Sequence, residues 1–270
     1  MIFCMSGTGN TLWAARTIAA ATADTVTDIS RVDTERHTFT AQKGESIGIC
    51  FPVHGWMPSR LVRHFARTVR IERHGDNYVY ILCSAGDTTG EALRILARDL
   101  KRNAIDVDAA FAIIMPESYM GLKMLHLDTP EGEQRKIAAA AERLKGFIDD
   151  IQCRRRGIKR DVYTRWPRIN SRVLGPLFHR HLVKDTPFRV DKELCIGCGK
   201  CRAVCPVDDI EQTKGEPPRW KHNGRCLTCF ACYHHCPVRA IDYGTSTVGR
   251  GQYYFGHADK RKNKNLQDKK

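Results

Sequence analysis

At 270 residues with a formal charge of +14, the chain is long enough for two units, each with its own core, and needs no staple merely to fold. Its twelve cysteines are unevenly placed: Cys4, Cys50, Cys83 and Cys153 are scattered, whereas the other eight fall between Cys195 and Cys236. The opening Met1-Ile2-Phe3-Cys4-Met5-Ser6 lacks the basic start and apolar run of a secretory leader, and no stretch of about 18 apolar residues occurs, so a secreted disulfide scaffold and a membrane-spanning chain are set aside and a reducing, cytoplasmic setting is expected.

Residues 2–5, 25–29, 47–51, 78–83 and 109–115 are apolar runs of strand length, separated by loops or longer amphipathic stretches. The alternation predicts an α/β unit with an open parallel sheet covered by helices. Residues 10–23 are rich in alanine, with Leu12, Ala15 and Ile18 on one face; a last helix is expected to start at Thr129, with Glu131 and Glu133 in its first turn, and to run toward Ile151. Residues 29–47 are polar and carry no assignment.

Between the first strand and the first helix stands Ser6-Gly7-Thr8-Gly9-Asn10-Thr11. Small and hydroxyl residues at a helix start offer main-chain N–H groups and the positive end of the helix dipole to a phosphate. A Walker loop would end in Gly-Lys-Ser/Thr, and a dinucleotide fingerprint would place a third glycine where Leu12 stands. A cysteine phosphatase would want an arginine near Asn10, so Cys4 is not expected to be a nucleophile. The loop resembles the FMN phosphate loop of flavodoxins, and the resemblance spans residues 1–150. It implies a flavodoxin-like, doubly wound, five-stranded parallel sheet, phosphate contacts from the side chains of Ser6, Thr8, Asn10 and Thr11, and close backbone approach at Gly7 and Gly9.

Ligands of such sheets sit beyond the carboxyl ends of the strands near the point where strand order reverses. The loops expected to hold the flavin ring are therefore Pro52-Val53-His54-Gly55-Trp56-Met57-Pro58 and Ser84-Ala85-Gly86-Asp87-Thr88, with Trp56 stacking on the ring. The second loop lacks the aromatic that often covers the other ring face in flavodoxins, which would leave one face for a partner or substrate. Ordinary loop packing is the alternative for His54 and Trp56. Cys50 and Cys83 end apolar strands and are expected to be buried thiols.

Residues 154–184 form a basic linker holding ten Lys/Arg against Asp161. Within it Leu174, Leu177, Phe178, His181 and Leu182 recur at helical spacing, flanked by Arg172, Arg180 and Lys184; the stripe is expected to dock on its own protein, a membrane surface being the alternative.

An internal repeat follows, thirty-one residues apart: Cys195-x2-Cys198-x2-Cys201-x3-Cys205-Pro206 and Cys226-x2-Cys229-x2-Cys232-x3-Cys236-Pro237. Three thiolates spaced by two residues can wrap one face of an iron-sulfur cube. Structural zinc is the main alternative, although it more often draws two separated Cys-x2-Cys pairs. The spacing and prolines resemble bacterial two-cluster ferredoxins over residues 188–243. In that family the remote fourth cysteine ligates the other cluster. The resemblance implies one 4Fe-4S cluster on Cys195, Cys198, Cys201 and Cys236 and a second on Cys226, Cys229, Cys232 and Cys205, and leaves no role for His234 or His235 as ligands.

The units so delimited are 1–153, the linker 154–184, a small α+β unit 185–246 and a basic tail 247–270. Both motif sets occur in the order of the EFR1-type flavodoxin-ferredoxin fusions, which this chain resembles. The resemblance implies electron transfer between two 4Fe-4S clusters and FMN, coupling one-electron and two-electron steps with a redox partner protein that is acidic at the contact. A flavin-dependent reductase of a small organic substrate is the alternative. A nucleic-acid module with structural clusters is a further rival; nucleic acid is not expected as a partner.

Overall fold

The computed structural model describes residues 1–163 and 165–257, so the last part of the basic tail lies outside the described residues. Six parallel strands make the main sheet: β1 (Ile2–Cys4), β2 (Val26–Asp28), β3 (Ser46–His54), β4 (Tyr78–Ala85), β5 (Ala109–Ile114) and β6 (Ile158–Arg160). Their spatial order is β2-β1-β3-β4-β5-β6. The first five strands follow the flavodoxin-like order, whose reversal falls between β1 and β3.

Four helices cover the sheet: α1 (Asn10–Thr22), α2 (Arg60–Thr68), α3 (Ala92–Arg102) and α4 (Pro130–Gln152). Successive strand residues point to opposite faces, which is why the strands are apolar throughout. Phe3, Ile49, Phe51, Ile81 and Cys83 meet Val62 and Phe65 of α2 and Leu96 and Leu100 of α3. Ile2, Cys4, Cys50, Tyr80 and Leu82 meet Ala15 and Ile18 of α1 and Leu144, Phe147 and Ile151 of α4. Cys4, Cys50 and Cys83 are thus packing residues, and burial pushes the Cys50 thiol up to about 12. Helix α4 begins as its sequence implies, with Pro130 in its first turn and the Thr129 hydroxyl accepting from Gly132 N at 3.1 Å.

The parallel part of the sheet exceeds the expected five strands by one, and the short antiparallel strand Met57–Pro58 on β3 adds a seventh. β6 pairs with β5 from inside the basic linker, and its Arg160 reaches the buried Asp150 at 2.7 Å. Only Ile158 of the three is partly buried, so no alternation marked the strand; exposed basic side chains suit a sheet edge. The unassigned residues 29–47 contain a 3-10 turn, Ile29–Arg31, and a strand, Thr38–Thr40, that pairs in parallel with Arg70–Glu72.

Residues 167–181 are helical: one turn at Pro167–Ile169, a π-helical stretch at Asn170–Leu174, then α5 (Gly175–His181). The segment docks through Ser171, Gly175 and Phe178, whereas Leu174 and Leu177 of the expected stripe are exposed.

In the C-terminal unit β7 (Phe188–Val190) pairs antiparallel with β10 (Ile241–Tyr243), and β8 (Ile210–Glu211) with β9 (Arg219–Trp220). The short helices α6 (Lys200–Ala203) and α7 (Ala231–His234) each carry the third cysteine of one copy. The repeat extends to the backbone: Gly197, Gly199 and Asp208 have positive φ, and so do Thr228, Phe230 and Arg239, thirty-one residues later. The core is aromatic, with Phe188 stacked on Trp220 at 5.3 Å and Phe230 edge-on to Tyr243 at 5.1 Å.

The two units share side chains. Val207 and Leu227 belong to the core on the α2/α3 side of the sheet, while Met120, Tyr119 and Leu127 pack into the core of the C-terminal unit. Arg60 donates to Cys226 O at 2.8 Å, and His234 Nε2 donates to Ser118 O at 2.7 Å.

Candidate cofactor site

At the carboxyl edge of the sheet β3 runs into a hairpin in which Val53 and His54 pair with Pro58 and Met57. Its two-residue tip, Gly55-Trp56, has φ of 53° and 59°, the pattern of a tight turn matched to strand twist. Gly55 is required twice over, by its φ and because a Cβ there would collide with the Phe178 ring. The tip is clamped from outside: Ser171 Oγ donates to Trp56 O at 2.9 Å, and His179 Nε2 donates to His54 O at 2.8 Å.

The hairpin, the phosphate-type loop and the loop after β4 enclose one cleft of about 260 Å³. Ser6, Gly7, Thr8, Asn10, Thr11, Pro52, Val53, His54, Gly55, Trp56, Ser84, Ala85, Gly86, Asp87 and Thr88 all line it; of the residues in the three loops expected to meet the flavin, Gly9, Met57 and Pro58 do not. His54 is held neutral, its pKa lowered to about 4 chiefly by burial and secondarily by the neighbouring His179.

The loop that opens α1 fits a phosphate in its backbone. Gly9 takes φ 93° and no side chain caps the helix, so the positive end of α1 faces the cleft. Several hydroxyl and amide side chains expected to meet the phosphate also brace the loop. Ser6 Oγ accepts from Gly9 N at 3.1 Å, and Thr11 Oγ1 shares a hydrogen bond of 2.7 Å with Ser84 Oγ. Asn10 donates to Pro116 O at 3.0 Å and accepts from the Tyr253 hydroxyl at 2.5 Å. Residues 253–255 of the tail lie against this loop, with Phe255 N donating to Thr8 O at 2.8 Å and the Phe255 ring stacked on Trp13 at 5.3 Å.

Side chains that sequence reasoning missed complete the cleft. Glu117 and Tyr119 come from the loop after β5, Phe178 from α5, and Leu227, Thr228 and Cys229 from the second cysteine copy. Tyr119 and Phe178 meet edge-on at 5.2 Å and supply aromatics that the loop after β4 lacks. The loop after β5 was findable, since β5 also ends at the carboxyl edge; α5 and residues 227–229 reach the cleft only through tertiary packing.

Cys195, Cys198, Cys201 and Cys236 border a single small cavity together with Ile196, Pro218, Val238 and Ile241. Among the described residues no three His, Cys, Asp or Glu side chains converge as closely as one metal ion needs; these four surround a space instead. In the other set, burial and the neighbouring Cys229, Cys226 and Cys205 push the Cys232 thiol well up. Burial likewise raises Cys201 to about 11 and Cys229 to about 12, so binding a metal through these thiols would displace their protons. The fourth cysteine of each copy accepts an equivalent main-chain bond at 3.3 Å, Cys205 from Asp209 N and Cys236 from Ala240 N. Donors of this kind favour the more negative, reduced form of an iron-sulfur group. His234 and His235 are engaged by backbone carbonyls of Ser118 and Ala231.

Residues 188–237 match the family described as the 4Fe-4S dicluster domain. An uncharacterized ferredoxin of Methanocaldococcus jannaschii is 40% identical over 60 residues, covering 19% of this chain and 70% of that protein. The chain belongs, through its C-terminal unit, to the 4Fe-4S dicluster ferredoxins. A ferredoxin of Pyrobaculum islandicum is 32% identical over 74 residues, 25% of this chain and 66% of its own length. An uncharacterized polyferredoxin-like protein of Methanocaldococcus jannaschii is 35% identical over 66 residues, 20% of this chain and 39% of its own length. Among solved structures, a putative flavoprotein from Bacteroides uniformis overlays at a TM-score of 0.31 with 14% identity, covering 42% of this chain and 88% of its own. Rubredoxin oxygen:oxidoreductase from Desulfovibrio gigas overlays at 0.30 with 16% identity, covering 54% and 35%. The ferredoxin unit sits directly on the cleft of the flavodoxin-like sheet. A methyl at Gly7 would stand 3.1 Å from Cys229 Cβ and 3.4 Å from its Sγ.

Proposed function

We propose that this chain is an electron-transfer protein of the EFR1-type flavodoxin-ferredoxin fusions, in which two 4Fe-4S clusters exchange electrons with FMN. The observation that carries the reading is the shared wall: Cys229, with Leu227 and Thr228, lines the same cleft as the phosphate-type loop. Bound in these sites, clusters pass single electrons and FMN holds one or two, so single-electron and paired steps can be coupled.

The residues divide the work. Backbone N–H groups at the start of α1 hold the phosphate, with Thr8 beside them. Gly55-Trp56, Tyr119 and Phe178 position the ring, and neutral His54 adds no charge to the cleft. Cys205, Cys226, Cys229 and Cys232 hold the cluster nearer the flavin. Cys195, Cys198, Cys201 and Cys236 hold the outer one, beside the exposed Leu194 and Ile196. A redox partner protein, acidic at its contact to suit the basic chain, meets that outer side.

Anaerobic iron, sulfide and flavin analysis, followed by reductive titration with visible and EPR spectra, tests the reading. About eight irons per chain are expected from two such clusters, with stoichiometric FMN. Full iron without FMN would refute the flavin half and leave a ferredoxin on an inert sheet domain.

A further inference from the structure

The helical segment 167–181 is apolar on two opposite faces, and the fold covers only one of them. Inward, Ser171 bonds Trp56 O and Glu91 N, Gly175 packs on Met57, and Phe178 lines the cleft. Outward, Trp166, Ile169, Val173 and Leu177 follow at spacings of three, four and four residues, and they are 52%, 42%, 52% and 50% exposed. A face meant only for water would be polar there.

The charges beside this row have one sign. No Asp or Glu occurs between Asp161 and Asp185, whereas Arg165, Arg168, Arg172, Arg180 and Lys184 do. Arg172 is tied to Glu91 at 2.7 Å, and Glu91 is shared with Arg94. Arg168, Arg180 and Lys184 are exposed, and the Arg165 guanidinium stands 5.9 Å from the Trp166 ring.

We propose that this outer face docks on an anionic lipid surface and holds the protein peripherally at a membrane. A ridge of Trp, Ile, Val and Leu tips bordered by arginines suits the boundary between headgroups and acyl chains, where the tips bury and the guanidinium groups reach phosphates. The row carries tryptophan at one end, and the exposed Arg168, Arg180 and Lys184 beside it ask for a surface of negative charge rather than an apolar groove. No helix among the described residues is long and apolar enough to cross a membrane, so the contact lies in the interface plane. Each arginine near such a surface contributes roughly a fivefold factor to partitioning.

The test is co-sedimentation of the full-length, cluster-loaded protein with vesicles of phosphatidylcholine alone or mixed with phosphatidylglycerol. Binding to the mixed vesicles is expected to exceed binding to the neutral ones by tenfold or more and to weaken with salt. The exposed triple variant Trp166→Gln, Val173→Gln, Leu177→Gln should lose on the order of tenfold or more while its iron content and visible spectrum stay unchanged. Equal binding to both vesicle types would overturn the proposal. So would wild-type binding by the triple variant, which would assign the attraction to the basic residues 260–270, or binding only to an acidic soluble protein. Vesicle binding is read without electron flow, so it stands or falls separately from the redox reading.

Discussion

Replacing Tyr253 by Phe removes one oxygen from a residue that sequence alone gave no reason to notice. Its hydroxyl donates to Asn10 Oδ1 at 2.5 Å, and the two residues are 1% and 6% exposed. Asn10 in turn donates to Pro116 O, so one amide ties the phosphate-type loop both to the tail and to the loop after β5. The variant leaves a buried carbonyl oxygen without its donor, a cost of about 1–3 kcal/mol. Because FMN is proposed to need this loop in one conformation, the cost should appear as a dissociation constant raised roughly 5- to 150-fold. Flavin fluorescence quenching, titrated into the flavin-stripped protein, measures it. Asn10→Ala and the double variant complete a cycle, in which the two changes should be markedly non-additive. A Tyr253→Phe affinity within twofold of wild type, or strictly additive changes, would refute the claim that the tail positions this loop.

Three further outcomes are expected. Gly55→Ala forces a methyl into the Phe178 ring at a backbone of φ 53°, and should lower unfolding free energy by about 1–3 kcal/mol in denaturant titrations; an unchanged midpoint would contradict the tight turn. Cys205→Ser should disturb the cluster nearer the cleft and slow flavin reduction, whereas Cys198→Ser should disturb the outer cluster, with EPR of each variant separating the two; identical spectra would contradict the crossed ligand sets. His54, lowered to about 4 mainly by burial, is neutral when folded and takes a proton more readily unfolded, so its contribution is intact above about pH 6.5 and is lost as pH falls toward 4. His54→Gln should therefore flatten the acid side of the stability profile by up to about 3 kcal/mol, and parallel wild-type and variant profiles between pH 4 and 7 would count against it.

The phosphate-type loop and the cysteine repeat were readable because both are local: each needs particular small or ligating residues at fixed spacing, whatever lies elsewhere. The strand order could be expected from the loop's resemblance, since the periodic apolar runs alone say parallel sheet but not which strand stands beside which. What stayed hidden is what packing decides. β6 is Ile158-Lys159-Arg160, too short and too basic to show a period, and it pairs because β5 would otherwise end the sheet there. Tyr119 and Phe178 lie fifty-nine residues apart and meet only because α5 folds back over the hairpin tip. Tyr253 and Phe255 sit in a tail without pattern, and their use appears only where they contact Asn10, Thr8 and Trp13.

The two cysteine copies share a backbone yet differ in side chains, and the difference follows from which way each faces. At two equivalent left-handed positions the first copy has Gly197 and Gly199 and the second has Thr228 and Phe230. A non-glycine residue there costs about 1–2 kcal/mol. In the second copy the cost is offset by contacts with no counterpart in the first: Thr228 Oγ1 accepts from Lys184 N at 3.0 Å and lines the cleft, while the Phe230 ring meets Tyr119 at 5.4 Å from across the unit boundary. The first copy faces outward, with Ile196 and Cys198 exposed: a Cβ at Gly197 would collide with the Gly215 backbone, and at Gly199 nothing lies within reach to set against the strain. The asymmetry of the repeat is therefore a packing record of its orientation: the copy that departs from glycine is the one pressed against the flavodoxin-like sheet, and Gly7 is small where Cys229 meets it for the same reason.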